Sequence, residues 1–252
     1  MAEEKHKGER IAKVMARAGL CSRREAERWI SQGRVRVNGA VLETAACVVS
    51  ADDQVEVDGK AVGSAEKTRL FLYHKPAGLV TSHSDEKGRE TVFDALPAAL
   101  PRVVSVGRLD LNTEGLLLLT NDGGLSRYLE LPTTGWSRRY RVRVLGNVDE
   151  KQLAALKDGI TVEGVWYKSI QAKLESASSG ANKWLSVTLR EGKNREIRRV
   201  MEALGLQVNR LIRTGYGSFE LGQLKPGEVK EITESILRAQ IQGYFKDKKG
   251  QP

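Results

Sequence analysis

The sequence predicts an α+β fold, and three observations carry that prediction. Short apolar or β-prone runs bounded by Gly, Asn or Asp recur along the chain, as buried strands do. Helical segments are interspersed among them without the regular strand–helix–strand alternation of a doubly wound sheet. The first sixty-odd residues hold a separate pattern of two helices and a small sheet. A chain of 252 residues has room for one large or two modest domains with a real core.

In the N-terminal part, Ile11, Val14, Met15 and Ala18 recur at helical spacing, and Gly19 can stop that helix just past its cap. Ser22-Arg23-Arg24-Glu25 fits a capping box, in which serine caps a new helix and glutamate returns to the serine amide. That second helix buries Ala26, Trp29 and Ile30 and ends at Gly33. Arg34 to Val37, Asn38-Gly39 and Ala40 to Leu42 read as a hairpin on a tight turn, and Val55-Glu56-Val57 before Asp58-Gly59 repeats the pattern. Ser64 to Thr68 is a polar connector without apolar period. It divides the chain into a first domain over 1–62, a linker over 63–69 and a second domain over 70–240. The final YFKDKKGQP is basic, and 241–252 is expected to be a flexible tail.

Within the second domain, Arg69 to Tyr73 reads as a strand, turned by Lys75-Pro76-Ala77-Gly78 into Leu79-Val80-Thr81. Proline there keeps the turn outside the sheet. Thr91 to Leu96 is a short helix or turn, and Gly124 to Glu130 is helical. Residues 138–145 alternate strictly, with Tyr140, Val142 and Val144 on one face and Arg139, Arg141 and Arg143 on the other. Leu153 to Lys157 is helical, Trp166 to Leu174 and Lys183 to Leu189 are strands, and Lys193 to Leu204 is a helix led by arginines. Val208 to Ile212 completes the strands, and Leu224 to Glu228 is a turn.

The segment VGRLDLNTEGLLLLTNDG at 106–123 is the most informative. Val103, Val104 and Val106 lead into it and Leu116 to Leu119 lead out, so Asp110 sits beside Arg108 on a loop gripped between buried runs. Such a loop is rigid enough to carry a catalytic side chain. From spacing alone, a solvated Asp/Asn/Thr/Gly turn accounts for it equally well.

Lys and Arg total 41 against 32 Asp plus Glu, a net charge of +9. That balance favours a polyanion, nucleic acid before an acidic membrane surface. Between Lys5 and Arg36 ten basic residues face three acidic ones, and Arg24 and Arg28, four apart on one helix, repel unless an anion lies between them. No run approaches the roughly 18 apolar residues of a spanning helix, and the opening MAEEKHKGER lacks the apolar stretch of a secretory signal. Cys21 and Cys47 have no metal spacing, and His6, His74 and His83 form no ligand cluster. A cytoplasmic protein without metal or other cofactor is expected.

The basic helix pair resembles the alpha-L RNA-binding domain, whose helices clamp the phosphate backbone of structured RNA. Arg10, Arg17, Arg23, Arg24 and Arg28 are the candidates here. GRLDLNTEGLLLLTNDG, with HKPAG upstream, RRYRV downstream and EGKNREIRRV near the end, resembles the RsuA/RluB family of ribosomal RNA pseudouridine synthases. The resemblance covers residues 8 to 240 and implies a mixed, largely antiparallel central sheet flanked by helices. It implies that a uridine in structured ribosomal RNA, preferably of the large subunit, is isomerised by a monomer without cofactor. The small subunit is the alternative target. Asp110 matches the family's catalytic aspartate, Tyr140 its active-site tyrosine and Arg198 the basic residue that pairs with the aspartate. Ile197 would wall the uracil, Arg108 would fill the gap left by the extruded base, and Arg195, Lys193 and Arg199 would hold substrate or phosphates. Six basic residues fall between Lys193 and Arg213, most of them expected on phosphates. Glu114 is expected to fix the loop rather than act as a second carboxylate. Val200 stands where many relatives have methionine or leucine. Two other classes compete: a ribosome-assembly RNA-binding protein without catalysis, and an RNA glycosylase or nuclease using Asp110 and Glu114.

Overall fold

The computed structural model describes residues 8–175 and 180–249; Lys5, Lys7 and the last three residues of the basic tail lie outside it. Helices α1 (Ile11–Arg17) and α2 (Arg23–Ser31) bury Ile11, Met15, Ala26 and Ile30 with Cys21, Val35, Val49 and Val55. The capping box forms: Ser22 Oγ accepts from the Glu25 amide at 3.1 Å, and the Glu25 carboxylate accepts from the Ser22 amide at 3.4 Å. A four-stranded sheet orders Ala40–Val41, Val35–Val37, Val55–Val57 and Lys60–Ala61. Its hairpins turn at Asn38-Gly39 and Asp58-Gly59, where all four residues have positive φ, as a two-residue turn matched to strand twist requires.

The second domain is built on seven main strands: β1 (Leu70–Lys75), β2 (Glu114–Thr120), β3 (Arg138–Leu145), β4 (Ile170–Leu174), β5 (Asn182–Leu189), β6 (Gln207–Tyr216) and β7 (Val229–Ile232). They lie in the order β4-β5-β3-β6-β2-β1-β7, with two short strands pairing beside β2 and β6. Every pairing on this path is antiparallel except β6 with β2. The parallel contact is brief, Ile212 opposite Glu114 and Arg213 opposite Gly115. It also explains the glycine of Thr-Glu-Gly: Gly115 has φ +102°, and a Cβ there would lie 2.3 Å from the Arg213 carbonyl oxygen. The loop bearing Asp110 enters β2 at this seam.

Helix α3 (Gly123–Glu130), with α6 (Glu234–Gln240), packs on one face of β1 and β2, burying Leu70, Leu72, Leu116, Leu118, Leu125 and Leu237. Phe71, Tyr73, Leu117 and Leu119 fill the opposite face with Val92, Val103 and Leu109. β2 is thus apolar on both sides, which is why its leucines run without alternation. Helices α4 (Glu150–Ala155) and α5 (Glu196–Ala203) cover β3 to β6 through Val142, Val144, Leu153, Ile197, Val200 and Met201.

Several expectations need correction. The strand expected over Trp166 to Leu174 is two, Val165–Tyr167 and Ile170–Leu174, pairing with different partners. α5 begins at Glu196, because Arg195 takes a left-handed conformation (φ 51°) before it. The tail is not loose where it is described: α7 (Gln242–Lys249) is helical, and Tyr244 and Phe245 pack on the α3–α6 core. A charge count hides those two aromatic anchors. Tyr244 also reaches the domain junction, where its hydroxyl donates to Asp122 at 2.7 Å.

Candidate active site

Five consecutive carbonyls of the loop before β2 are each held. Thr81 Oγ1 donates to Leu109 O at 2.8 Å, the Thr113 amide to Asp110 O at 3.0 Å, and the Gly78 amide to Leu111 O at 2.8 Å. Arg198 Nη2 donates to Asn112 O at 2.9 Å. Lys75 Nζ donates to Thr113 O at 3.0 Å, to Leu111 O at 3.3 Å and to Pro76 O at 2.9 Å. The Lys-Pro-Ala-Gly segment, the threonine beyond it and Arg198 therefore grip the Asp110 loop through its carbonyls, which need no water. Lys75 is fully buried. Burial pulls its pKa down to about 8, while the nearby Asp110 and Glu114 carboxylates push it back up.

Above the loop opens a cavity of about 550 Å³, within the roughly 300–1,000 Å³ range of small-molecule sites. Asp110, half-buried, shares it with Tyr140, Ile197, Arg108, Arg195 and Lys193. Tyr140 lies on β3 opposite Val187 and Arg213, beside a register shift between Arg139 and Tyr140. Such irregularities re-aim a side chain at the rim of a site. Ile197, 4% exposed, contributes apolar wall from the first turn of α5.

Arg198 is the main correction. Its guanidinium does not bond the Asp110 carboxylate: it donates to backbone, Asn112 O and Val208 O (3.3 Å), and it lies outside the cavity wall. Burial depresses its pKa, Arg195 adds to this, and the Asp110 charge opposes both. Arg198 therefore orients the loop while lending Asp110 a nearby positive charge. Arg213 is a second correction. Grouped by sequence with phosphate-contacting cations, it is 2% exposed, donates from Nε to Leu116 O at 2.7 Å, and lines the cavity. Glu114 is held by Arg210 at 2.8 and 2.9 Å and does not line the cavity, consistent with the loop-fixing role expected for it.

Of the alpha-L candidates, Arg10, Arg23, Arg24 and Arg28 are exposed. Arg24 and Arg28 border a cleft against His83, Ser84 and Arg102 of the second domain, and Arg28 also pairs with Glu25 at 3.3 Å. Arg17 is corrected: it is ion-paired with the buried Asp122 and serves the domain junction. Arg199 is exposed on α5, and Lys193 pairs with Glu191 at 2.9 Å. Lys75, Thr81, Glu196 and Arg213 escaped the sequence reading. The Lys-Pro-Ala-Gly motif was the available signal for Lys75, and the EGKNREIRRV segment the one for Glu196.

The RNA pseudouridylate synthase family model matches residues 69–203, more than half the chain. The chain belongs to the RNA pseudouridylate synthase family. The S4 domain model matches residues 9–55, so the N-terminal module is an S4 domain, as the alpha-L pattern implied. An uncharacterized RNA pseudouridine synthase of Rickettsia felis is 47% identical over 91% of this chain and 99% of its own length. The ribosomal large subunit pseudouridine synthase B of Haemophilus influenzae is 43% identical over 87% of this chain, which spans 63% of that protein. A crystal structure of a pseudouridylate synthase superposes with a TM-score of 0.65 at 29% identity, over 92% of this chain and all of the other. The α+β pseudouridine synthase fold is thereby established, with a mixed, largely antiparallel sheet. Among the described residues, no helix is long and apolar enough to cross a membrane.

Proposed function

We propose that this synthase isomerises one uridine in a structured stem-loop of large-subunit ribosomal RNA, acting as a cytoplasmic monomer with Asp110 as the catalytic group. The observation that carries the reading is Asp110 at the cavity wall, on a loop whose carbonyls from Leu109 to Thr113 are each bonded, with Tyr140 and Ile197 beside it. The likeness to large subunit synthases supports the choice of target. In the reaction the N1–C1′ bond breaks, a C5–C1′ bond forms, the C5 proton is lost and N1 gains one. Atoms and charge balance without a co-reactant. The uracil must leave its helix to reach Asp110, which costs a few kcal/mol; stacking on Tyr140, worth about 1–3 kcal/mol, offsets much of this. Aromatic residues are only 6% of the chain, so Tyr140 in the cavity is a scarce stacking surface used where a base would lie.

The S4 helices supply affinity through phosphates, and their contribution falls with salt. Asp110→Asn should abolish release of the C5 hydrogen from labelled uridine in ribosomal RNA while RNA binding persists. Mapping pseudouridines in a deletion strain complemented with wild type or this variant identifies the base. Undiminished activity in Asp110→Asn would refute the assignment. Free uracil or strand cuts as products would favour a glycosylase or nuclease, and a complete lack of modification would favour a binding protein.

A further inference from the structure

Three buried polar atoms on residues lining the cavity have no partner among the described residues: Thr113 Oγ1, Glu196 Oε1 and Arg213 Nη2. Resting on the reading of this cavity as the uridine site, we propose that Glu196 and Arg213 recognise the hydrogen-bonding edge of the extruded uracil, Glu196 accepting from N3–H and Arg213 donating to the C4 carbonyl of the incoming base.

Both side chains are anchored at one end and unpartnered at the other. Glu196 Oε2 accepts from the Lys193 amide at 2.9 Å, which fixes the carboxyl at the start of α5 and leaves Oε1 over. Arg213 Nε is committed to Leu116 O, which leaves Nη2 over. The two residues are 4% and 2% exposed, so bulk water does not solvate the remaining valences, and a base entering the cavity they line must turn the two side-chain ends toward itself to meet them. A buried polar atom without a partner costs about 1–3 kcal/mol, and its persistence at a cavity wall points to a partner that comes and goes. Burial pushes the Glu196 carboxyl up to about 7, outweighing the single Lys193 amide that lowers it.

The chemistry fits uracil and opposes cytosine. Uracil presents carbonyl, N3–H and carbonyl along one edge; cytosine presents an amino group, a bare N3 and a carbonyl. A bare N3 against Glu196 Oε1 sets acceptor against acceptor, and an amino group against Arg213 sets donor against donor. The same pair also suits the isomerisation. A half-turn of the detached ring about its N3–C6 axis exchanges N1 with C5 and one carbonyl with the other, leaving N3–H where it was. The edge contacts are identical before and after, so the base is kept in place while its bond to the ribose is remade.

The test uses full-length protein and a ribosomal RNA fragment carrying the mapped uridine, compared with the same fragment bearing cytidine there. Binding is measured in an Asp110→Asn background to prevent turnover, at a pH above the value of about 7 for Glu196 so that its carboxylate is an acceptor. Adding Glu196→Gln keeps the bond from the Lys193 amide through the amide oxygen but turns an NH2 toward N3. The preference for uridine over cytidine should fall by about tenfold or more, because cytosine N3 now meets a donor. An unchanged preference overturns the inference. Should Glu196→Gln lose its cooperative melt, Arg213→Lys decides by the same ratio. Lysine can serve Leu116 O but not the base as well, so uridine affinity should drop about tenfold with cytidine affinity unmoved. Parallel losses for both fragments would again overturn the proposal. If the enzyme with Asp110 intact makes no pseudouridine in the fragment, the functional reading itself has failed, which is a separate result.

Discussion

Asp122 and Glu196 are both buried carboxylates, yet one lies at the joint between domains and the other in the cavity, and their surroundings could hardly differ more. Asp122, 1% exposed, accepts from the Gly124 amide, Thr68 Oγ1 and Tyr244 Oη, and pairs with Arg17. Burial pushes its pKa up, but Arg17, Tyr244 and Thr68 outweigh burial and hold it well below the usual carboxylate range. Glu196 has one protein donor, and burial prevails. A carboxylate met on every side is an architectural joint, whereas one met on half its valences at a cavity wall is prepared for a ligand. The number of donors, rather than residue type or depth, separates structure from function here.

The largest effect should fall at the joint. Asp122→Ala strands Arg17 and removes the cap of α3, and breaking a buried pair in this way costs about 3–5 kcal/mol. Urea titration reads the loss, and proteolysis within 63–67 should accelerate as the S4 domain loosens. A loss under about 1 kcal/mol, the value of an ordinary surface pair, would erase the contrast.

The pH dependence should differ in sign between the two sites. Asp122 has a depressed folded pKa, so its stabilisation is present above the unfolded value and fades only in acid. Glu196 is raised from 4.5 to about 7. The folded state therefore holds a proton the unfolded state has released across that window, and stability falls as pH rises from about 4.5 to 7. Glu196→Gln removes this slope, so relative to wild type it should gain on the order of 3 kcal/mol between those pH values. Thermal melts of both proteins at pH 5 and pH 8 give the comparison. A constant gap would mean that Glu196 titrates normally.

A smaller effect separates orientation from binding at the Asp110 loop. Arg198→Ala frees Asn112 O and lets the loop shift, and a displacement near 1 Å can cost about 10²-fold in kcat. The loss should appear in kcat more than in KM. A pure KM effect would make Arg198 a substrate contact rather than a support of the loop.

The loop itself, the alternating strand over 138–145 and the capping box were legible because each is written in neighbouring residues. Lys75 was not, since its partners at Leu111 and Thr113 are 36 and 38 residues away and a lysine beside proline reads as a solvated turn. Arg213 failed for a related reason: only the parallel seam with Gly115 shows that it faces inward. Glu196 stands in the sequence as one acid among arginines, and the lysines of the tail mask the anchors Tyr244 and Phe245. Periodicity reports which face is apolar, but it does not report a charged side chain buried by long-range pairing.

The smallest expected effect extends the comparison to the arginines. Arg198 and Arg213 are half-buried or buried and each anchors a guanidinium on protein carbonyls, whereas Arg23 and Arg24 stand exposed on α2. If exposed cations serve phosphates, replacing both by alanine should lower the slope of log affinity against log salt by about 2, because each contact releases about one counterion. Affinity at low salt should fall, and the affinities of variant and wild type should converge as salt rises. KM should climb while kcat at saturating RNA stays near the wild-type value. A slope unchanged by the double replacement would place the RNA on another face of the S4 domain, with the cleft bordered by Arg28 and Arg102 as the next surface to alter.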